Sequence, residues 1–236
     1  MRSDFVSCSM EIKTCPNCHA SYDGNFCPAC GQRFIPSPFT FRVISSFALD
    51  LVDFNRGFFN TLFHLLVKPG ELIHGYLNGK TRPFNNPVRF LFTLITLMAI
   101  LDLVRSGTEE LKVLYIMPGL MVLAILTALF NYIAFSNQRT LAEHTIIATY
   151  FAAGLFIVLT FIMFLFLAAE SWAMAPYSDA WSASVSISAS FIFLFWFNLA
   201  VFPGRKLAIV VKTLLYIAFL VVVLLLTVWL VKMLWV

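Results

Sequence analysis

The sequence predicts an all-α integral membrane helical bundle of about five spans, preceded by amphipathic helices and a small N-terminal zinc-ribbon knuckle. Three observations predict this fold class. The 236 residues are 60% hydrophobic and only 12% charged, whereas an ordinary soluble domain is about half apolar and about a quarter charged. Apolar runs long enough to cross a bilayer fill the chain after residue 88. Two Cys-x-x-Cys pairs stand near its start, in TCPNCHASYDGNFCPACGQ, residues 14–32.

Four segments follow from these observations. We expect a disordered lead over 1–14, the zinc-ribbon knuckle over 15–33, amphipathic juxtamembrane helices over 38–86 and the transmembrane bundle over 88–236. The lead contains no apolar core of a signal peptide. The first span must then act as its own insertion signal, so the residues before it should stay in the cytoplasm, where thiols remain reduced.

The knuckle carries the pattern of a structural zinc site. Its expected ligands are Cys15, Cys18, Cys27 and Cys30. Two cysteines separated by two residues let one tight turn present both sulfurs to the same ion, and a second such turn completes a tetrahedral shell. Gly24 provides a turn between the pairs, and Gly31 allows a left-handed backbone after the last ligand. A segment this short needs such a staple to fold.

Other uses of the four cysteines are either open or disfavoured. Iron in a rubredoxin-type site takes similar ligands, and the sequence does not distinguish it from zinc. Two disulfides would require an oxidising compartment, and a thioredoxin-like site would require a βαβ context that the sequence lacks. We expect His19 to be an exposed neighbour of Cys18, and Cys8 to be a free thiol. Because residues 14–32 contain no Lys or Arg, nucleic acid is not expected as a partner.

Residues 41–67 show a helical period. Polar or small residues recur at steps of three and four: Arg42, Ser46, Asp50, Asp53, Gly57, Asn60 and His64. The opposite face is apolar: Phe41, Ile44, Phe47, Leu51, Phe58, Leu62, Leu65 and Leu66. Such a helix lies on a membrane surface or packs against the bundle. A proline and a glycine at 69–70 should end it, and a shorter helix over 70–78 should stop at Gly79.

Five apolar runs have the length of about 17–25 residues that a transmembrane helix needs. They cover 88–104, 114–135, 145–168, 184–202 and 207–236. The fourth begins in serine-rich turns, and the fifth is long enough to span with tilt.

The loop charges indicate an N-terminus inside and a C-terminus outside. Basic residues favour the cytoplasmic side, and five spans would place there Lys80, Arg82, Arg89, Arg139, Arg205 and Lys206. The loop over 170–183, which would be external, contains no Lys or Arg. Lys80, Arg82 and Arg89 are candidate lipid headgroup contacts, although plain positive-inside anchoring also explains them.

The order of these features resembles a known family. A ribbon of the form CPNC…CPACGQ is followed by an amphipathic stretch, by KPGELIHGYLNGKTRPFNNPVRFLF and by membrane spans. Over residues 15–95 this is similar to the bacterial membrane family of domain of unknown function 3667. Matching positions are Pro69, Tyr76, Leu77, Gly79, Lys80, Phe84 and Pro87. Thr81 departs from the pattern where an arginine is expected. The resemblance implies a bacterial inner-membrane protein with a cytoplasmic ribbon, and it implies no activity.

Three functions are open. The first is a non-enzymatic membrane protein whose zinc ribbon and juxtamembrane helices form a cytoplasmic docking or regulatory module for a protein partner. The second is a small transporter or channel for a solute or lipid, suggested by Asn131, Asn198 and the serines over 182–190. The third is a membrane-embedded enzyme, to be tested first at Glu143, His144 and Asp102. The sequence contains no nucleophile elbow, phosphate loop or HExxH motif. An oligomer is compatible with each of the three functions.

Overall fold

The computed structural model describes residues 12–33, 57–106, 112–135, 139–173 and 179–234. Within these ranges a two-stranded hairpin comes first, with β1 at Lys13–Thr14 and β2 at Ser21–Tyr22. Seven helices follow: α1 Gly57–Val67, α2 Pro69–Leu77, α3 Pro87–Ser106, α4 Lys112–Ala134, α5 Leu141–Ala173, α6 Asp179–Val201 and α7 Lys206–Leu234. Most of the predicted lead, and residues 38–56 of the predicted amphipathic segment, lie outside the described residues.

The ribbon is a short antiparallel hairpin. β1 pairs with β2 in the register Lys13↔Tyr22 and Thr14↔Ser21, and a second bridge joins Phe26 to Arg33. Its small core consists of Cys15, Tyr22 and Cys27, with Ala20 and Cys30 packed against them. A core of this size is too small to fold a segment of about 20 residues without a further constraint.

Helix α1 packs one face on the bundle and exposes apolar side chains on another. The buried positions repeat at steps of three and four: Phe58, Thr61 and Leu65. The exposed apolar positions follow the same period: Phe59, Phe63, Leu66 and Val67. The predicted polar stripe is present but does not simply face water, since Asn60 Nδ2 donates to the Pro83 carbonyl at 2.8 Å. The His64 ring likewise lies 5.3 Å from the Phe84 ring.

Helix α2 confirms the predicted short helix and its stop signal. Pro69 occupies its first turn, and Gly79, two residues past its end, has φ +87, the left-handed conformation that favours glycine at this position. A Cβ added at Gly70 would overlap the carbonyl oxygen of Ala200. Glycine is therefore required where α2 crosses the end of α6.

Each of the five predicted apolar runs forms a helix, α3 to α7, with nearby bounds. Three contain segments long and apolar enough to cross a membrane: Leu141–Ala169, Trp181–Val201 and Lys206–Val223. In α3 and α4 the apolar segments among the described residues are shorter, Pro87–Ile100 and Met121–Ala134. By length and composition the described residues thus contain three candidate membrane spans, and five are not confirmed.

Helix α5 is the centre of the bundle, because it packs against α1, α3, α4 and α6. At 33 residues and 1.5 Å per residue, it extends about 50 Å, compared with about 30 Å of hydrocarbon. Tyr150, in the N-terminal third of α5, is fully buried and lies 5.7 Å from Tyr76 of α2, centroid to centroid. The N-terminal part of α5 therefore packs against α2 at one end of the bundle.

Candidate metal centre

The sulfur atoms of Cys15, Cys18, Cys27 and Cys30 all lie within 4.8 Å of one another. Cys15 Sγ is 3.6 Å from Cys30 Sγ, and Cys18 Sγ is 3.6 Å from Cys27 Sγ. A disulfide would require about 2.05 Å. A metal ion with four sulfurs at about 2.3 Å has tetrahedral edges of about 3.8 Å. The four cysteines are thus positioned to hold one metal ion.

Two nearly equivalent turns present these sulfurs. In the first, Cys15 N donates to Ala20 O at 2.9 Å and His19 N donates to Cys15 O at 2.9 Å. In the second, Cys27 N donates to Gln32 O at 2.8 Å and Gly31 N donates to Cys27 O at 2.7 Å. The equivalent residues after each pair, His19 and Gly31, have left-handed φ values of 62 and 69.

The site is closed by its own protein ligands. Cys15 and Cys27 are buried, at 0% and 1% exposure, whereas Cys18 is exposed at the surface. Four protein thiolates fill a tetrahedral shell and leave no position for a reacting water, which is the arrangement of a structural site rather than a hydrolytic one. His19, next to Cys18, is exposed, as the sequence predicts.

A single glutamine joins the ribbon to the segment between α2 and α3, residues 80–86, which we name the clasp loop. Gln32 is 1% exposed. Its Nε2 donates to Thr81 Oγ1 at 2.7 Å, and its Oε1 accepts from the Arg82 backbone N at 2.8 Å. The same Nε2 also donates to the Arg33 carbonyl at 2.9 Å. Gln32 therefore links two parts of the chain that are far apart in sequence.

Two glycines mark the places where the ribbon contacts the rest of the chain. The guanidinium of Arg82 lies across Gly31, since an added Cβ would overlap Nη1 and stand 3.3 Å from Cζ. Pro16 of the first turn lies beside Gly79, with its Cγ 3.5 Å from where a Cβ would stand. Both turns of the ribbon thus contact the end of α2 or the clasp loop.

The clasp loop is held from the other side by α1 and α5. Asn85 N donates to Thr61 Oγ1 at 2.6 Å, and Asn85 O accepts from the Tyr150 hydroxyl at 2.5 Å. Asn86 then begins α3, since its Oδ1 accepts from the Val88 N at 2.9 Å, as an N-cap residue does. The loop is therefore fixed by contacts with helices on one side and with the ribbon on the other.

The three predicted headgroup contacts lie in different surroundings. Lys80 is exposed, and its backbone N donates to Gly75 O at 2.9 Å. Arg82 is exposed but lies across the ribbon. Arg89 is half-buried, and its Nε is buried with no hydrogen-bond partner among the described residues. Sequence reasoning treated the three as one group and missed the contact of Arg82 with the ribbon.

Glu143 and His144 occupy different environments at the start of α5. Glu143 Oε2 accepts from Thr140 N at 2.9 Å, and Glu143 N donates to Thr140 Oγ1 at 3.3 Å. This is a capping box, so the carboxylate has a structural role. His144 is fully buried. The side chain of Asp102 lies outside the described residues.

A second polar contact connects α2 to the segment before α5. Arg139 Nη2 lies 3.1 Å from His74 Nδ1, and His74 also bonds to the Val201 backbone. Burial and the nearby Arg139 charge hold the pKa of His74 below its ordinary value. A neutral ring that accepts from Arg139 and donates to Val201 accounts for both contacts.

Three of the polar residues named for a transporter make hydrogen bonds within the bundle. Asn198 Nδ2 donates to Thr213 Oγ1 at 3.1 Å, which joins α6 to α7. Ser188 and Ser190 donate to carbonyls one turn earlier, at 2.8 and 2.7 Å. A cavity of about 220 Å³ among α4 to α7 is lined mainly by apolar side chains, including Leu155 and Leu220.

Comparison with known proteins bears on the region around the clasp loop. A family model described as a protein of unknown function (DUF3667) matches residues 55–99. The stretch contains α1, α2, the clasp loop and the first part of α3. The resemblance inferred from the sequence is confirmed there. No curated protein and no solved structure matches the chain.

Proposed function

We propose that this chain is a multi-pass protein of a bacterial inner membrane whose cytoplasmic zinc ribbon is a docking or regulatory module for a protein partner. The observation that carries the proposal is the closed four-cysteine centre fixed to the clasp loop by Gln32. A structural metal holds a small shape and performs no chemistry itself. Zinc is the ion proposed, since four thiolates in a tetrahedron are typical of structural zinc.

The ribbon has an exposed surface that a partner could use. Phe26 is 60% exposed and Ile12 is 76% exposed, although a large apolar side chain in so small a unit would be expected in its core. Aromatic residues are enriched where proteins bind one another. Because Gln32 and Gly31 face the clasp loop, the opposite side of the ribbon is left for a partner.

The proposed anchor has five spans, with the N-terminus inside and the C-terminus outside. Arg139, before α5, and Ala200, near the end of α6, both contact α2. The loops that carry Arg139 and Arg205 therefore lie on the same side of the bundle as the juxtamembrane helices, which agrees with the cytoplasmic preference of basic residues. Lys80 and Arg89 on that side are proposed to contact lipid headgroups.

Photo-crosslinking in native membranes tests the docking proposal. A photoreactive residue replaces Phe26 in the full chain, and a matched probe replaces Trp181, which is 59% exposed and on the outer side in the proposed topology. We expect one discrete protein adduct from position 26 and none of the same mass from position 181. The adduct should be lost in Cys15→Ser and Cys27→Ser variants. Equal labelling with and without the cysteines would rule the ribbon out as the docking surface.

A further inference from the structure

His144 is a buried side chain that no contact in the described structure explains. It is 0% exposed, and neither Nδ1 nor Nε2 has a hydrogen-bond partner among the described residues. Any imidazole carries at least one N–H, and leaving such a buried group unsatisfied is energetically costly. Few groups of this kind occur in native proteins without a bound water, ion or ligand.

Aromatic rings hold the imidazole in place. The Tyr132 ring meets it edge-on at 6.0 Å, and the Phe202 ring lies nearly parallel at 6.4 Å, centroid to centroid. Phe135 in turn stacks on Phe202 at 4.0 Å. None of these side chains makes a hydrogen bond with the imidazole, so the His144 nitrogens still require a polar partner.

Arg139 supplies a second buried donor without a partner. Its Nη2 is used by His74, but its Nη1 is buried and makes no hydrogen bond among the described residues. The nearby carboxylate of Glu143 caps Thr140, and within the described ranges no acid lies within ion-pair distance of Arg139. Arg139 therefore makes no ion pair among the described residues, and the Glu143 carboxylate acts on it from beyond ion-pair distance.

The N-terminus of α5 adds positive partial charge, part of which the capping carboxylate of Glu143 offsets. Arg139 lies just before α5, a helix of 33 residues, whose N-terminus carries roughly half a positive charge. Arg139 directly precedes Thr140, whose carbonyl accepts from His144 N at 3.1 Å. A guanidinium N–H, an imidazole N–H and a helix N-terminus together form the donor set that binds oxyanions.

We propose that Arg139 and His144 form a binding site for a phosphate group at the N-terminus of α5. Arg139 Nη1 and one ring nitrogen of His144 donate to the phosphate oxygens, and the helix N-terminus stabilises the charge. The phosphate belongs to an anionic lipid headgroup or is free inorganic phosphate. The site does not depend on the metal centre or on a protein partner.

The full chain in detergent, with its histidine rings labelled with ¹⁵N, tests this site. The His144 signals are assigned by their loss in His144→Phe. One arm titrates phosphatidylglycerol and, as its control without phosphate, diacylglycerol. The other arm titrates inorganic phosphate. We expect the His144 signals to move with phosphatidylglycerol and not with diacylglycerol if the source is lipid, or with inorganic phosphate if it is free.

Variants separate the site from general charge. Arg139→Gln should weaken the titration at least tenfold, whereas Arg205→Gln, which removes an exposed cation on the same side, should change it less than twofold. If Arg139→Gln does not fold, Arg139→Lys replaces it and should also weaken binding, because a lysine lacks the two-pronged donor. A wild-type His144 signal that moves in neither arm overturns the proposal. An unchanged midpoint in the Arg139 variant overturns it too.

Discussion

Replacing Gln32 with alanine should release the ribbon from the clasp loop without removing the metal. The substitution deletes two hydrogen bonds between these parts, the donation to Thr81 Oγ1 at 2.7 Å and the acceptance from Arg82 N at 2.8 Å. A hydrogen bond contributes about 0.5–1.5 kcal/mol, so the contact of the ribbon with the clasp loop should be weakened by about 1–3 kcal/mol. That loss corresponds to about a 5- to 150-fold change in the equilibrium between the ribbon held on the clasp loop and the ribbon released from it.

Hydrogen–deuterium exchange of the full chain measures the effect at the Arg82 amide. In the wild type this amide is held by Gln32, and in Gln32→Ala it should exchange faster by the factor given above. Zinc content should not change, because Gln32 is not a ligand. Thr81→Val is the matched control, since it removes one of the two bonds and should have an intermediate effect. An unchanged exchange rate of the Arg82 amide in Gln32→Ala, or a loss of zinc from this variant, would contradict the role assigned to Gln32.

Four further variants test other parts of the fold. Tyr150→Phe removes the bond to Asn85 O and should cost about 1–3 kcal/mol; an unchanged melting temperature would contradict it. Because the pKa of His74 is lowered by burial and Arg139, the stability that it contributes is present above about pH 6.5 and lost as pH falls. The melting difference between wild type and His74→Gln should therefore shrink from about pH 7.5 to about pH 5.5, and a constant difference would contradict this. Gly31→Ala should weaken the contact of the ribbon with the clasp loop, and His19→Gly should stabilise the ribbon by about 1 kcal/mol, because both positions have positive φ. Equal changes of the melting temperature in the two variants, measured by calorimetry, would contradict this.

Features set by neighbours in the sequence were predicted well. The four cysteines, the left-handed Gly31 and the stop of α2 at Gly79 each follow from spacing and local backbone geometry. The five apolar runs also form helices, since a run of that length has few alternatives to a helix in lipid. Whether α3 and α4 cross the membrane depends on how they pack with the other helices, which composition does not determine.

Features set by contacts between distant residues were not predicted. Gln32 lies outside the ligand pattern, and its partners Thr81 and Arg82 are far away along the chain. The Cys-Gly-Gln ending of the ribbon is the one sequence feature that could have indicated a role for Gln32. Thr81 was noted as a departure from the family pattern, whereas the structure gives its hydroxyl a contact with the ribbon. The burial of His144 among rings from other parts of the chain was equally inaccessible to periodicity.

X-ray absorption at the zinc edge of the purified full chain, with metal content measured on the same sample, tests directly whether the four cysteines form a closed zinc centre. We expect one zinc per chain with four sulfur neighbours at about 2.3 Å and no nitrogen or oxygen bound to the metal. Cys27→Ser should lose that signal. Iron in place of zinc, a shell containing nitrogen or oxygen, or a ribbon that stays folded without metal would contradict the claim that these four cysteines form a closed structural zinc centre.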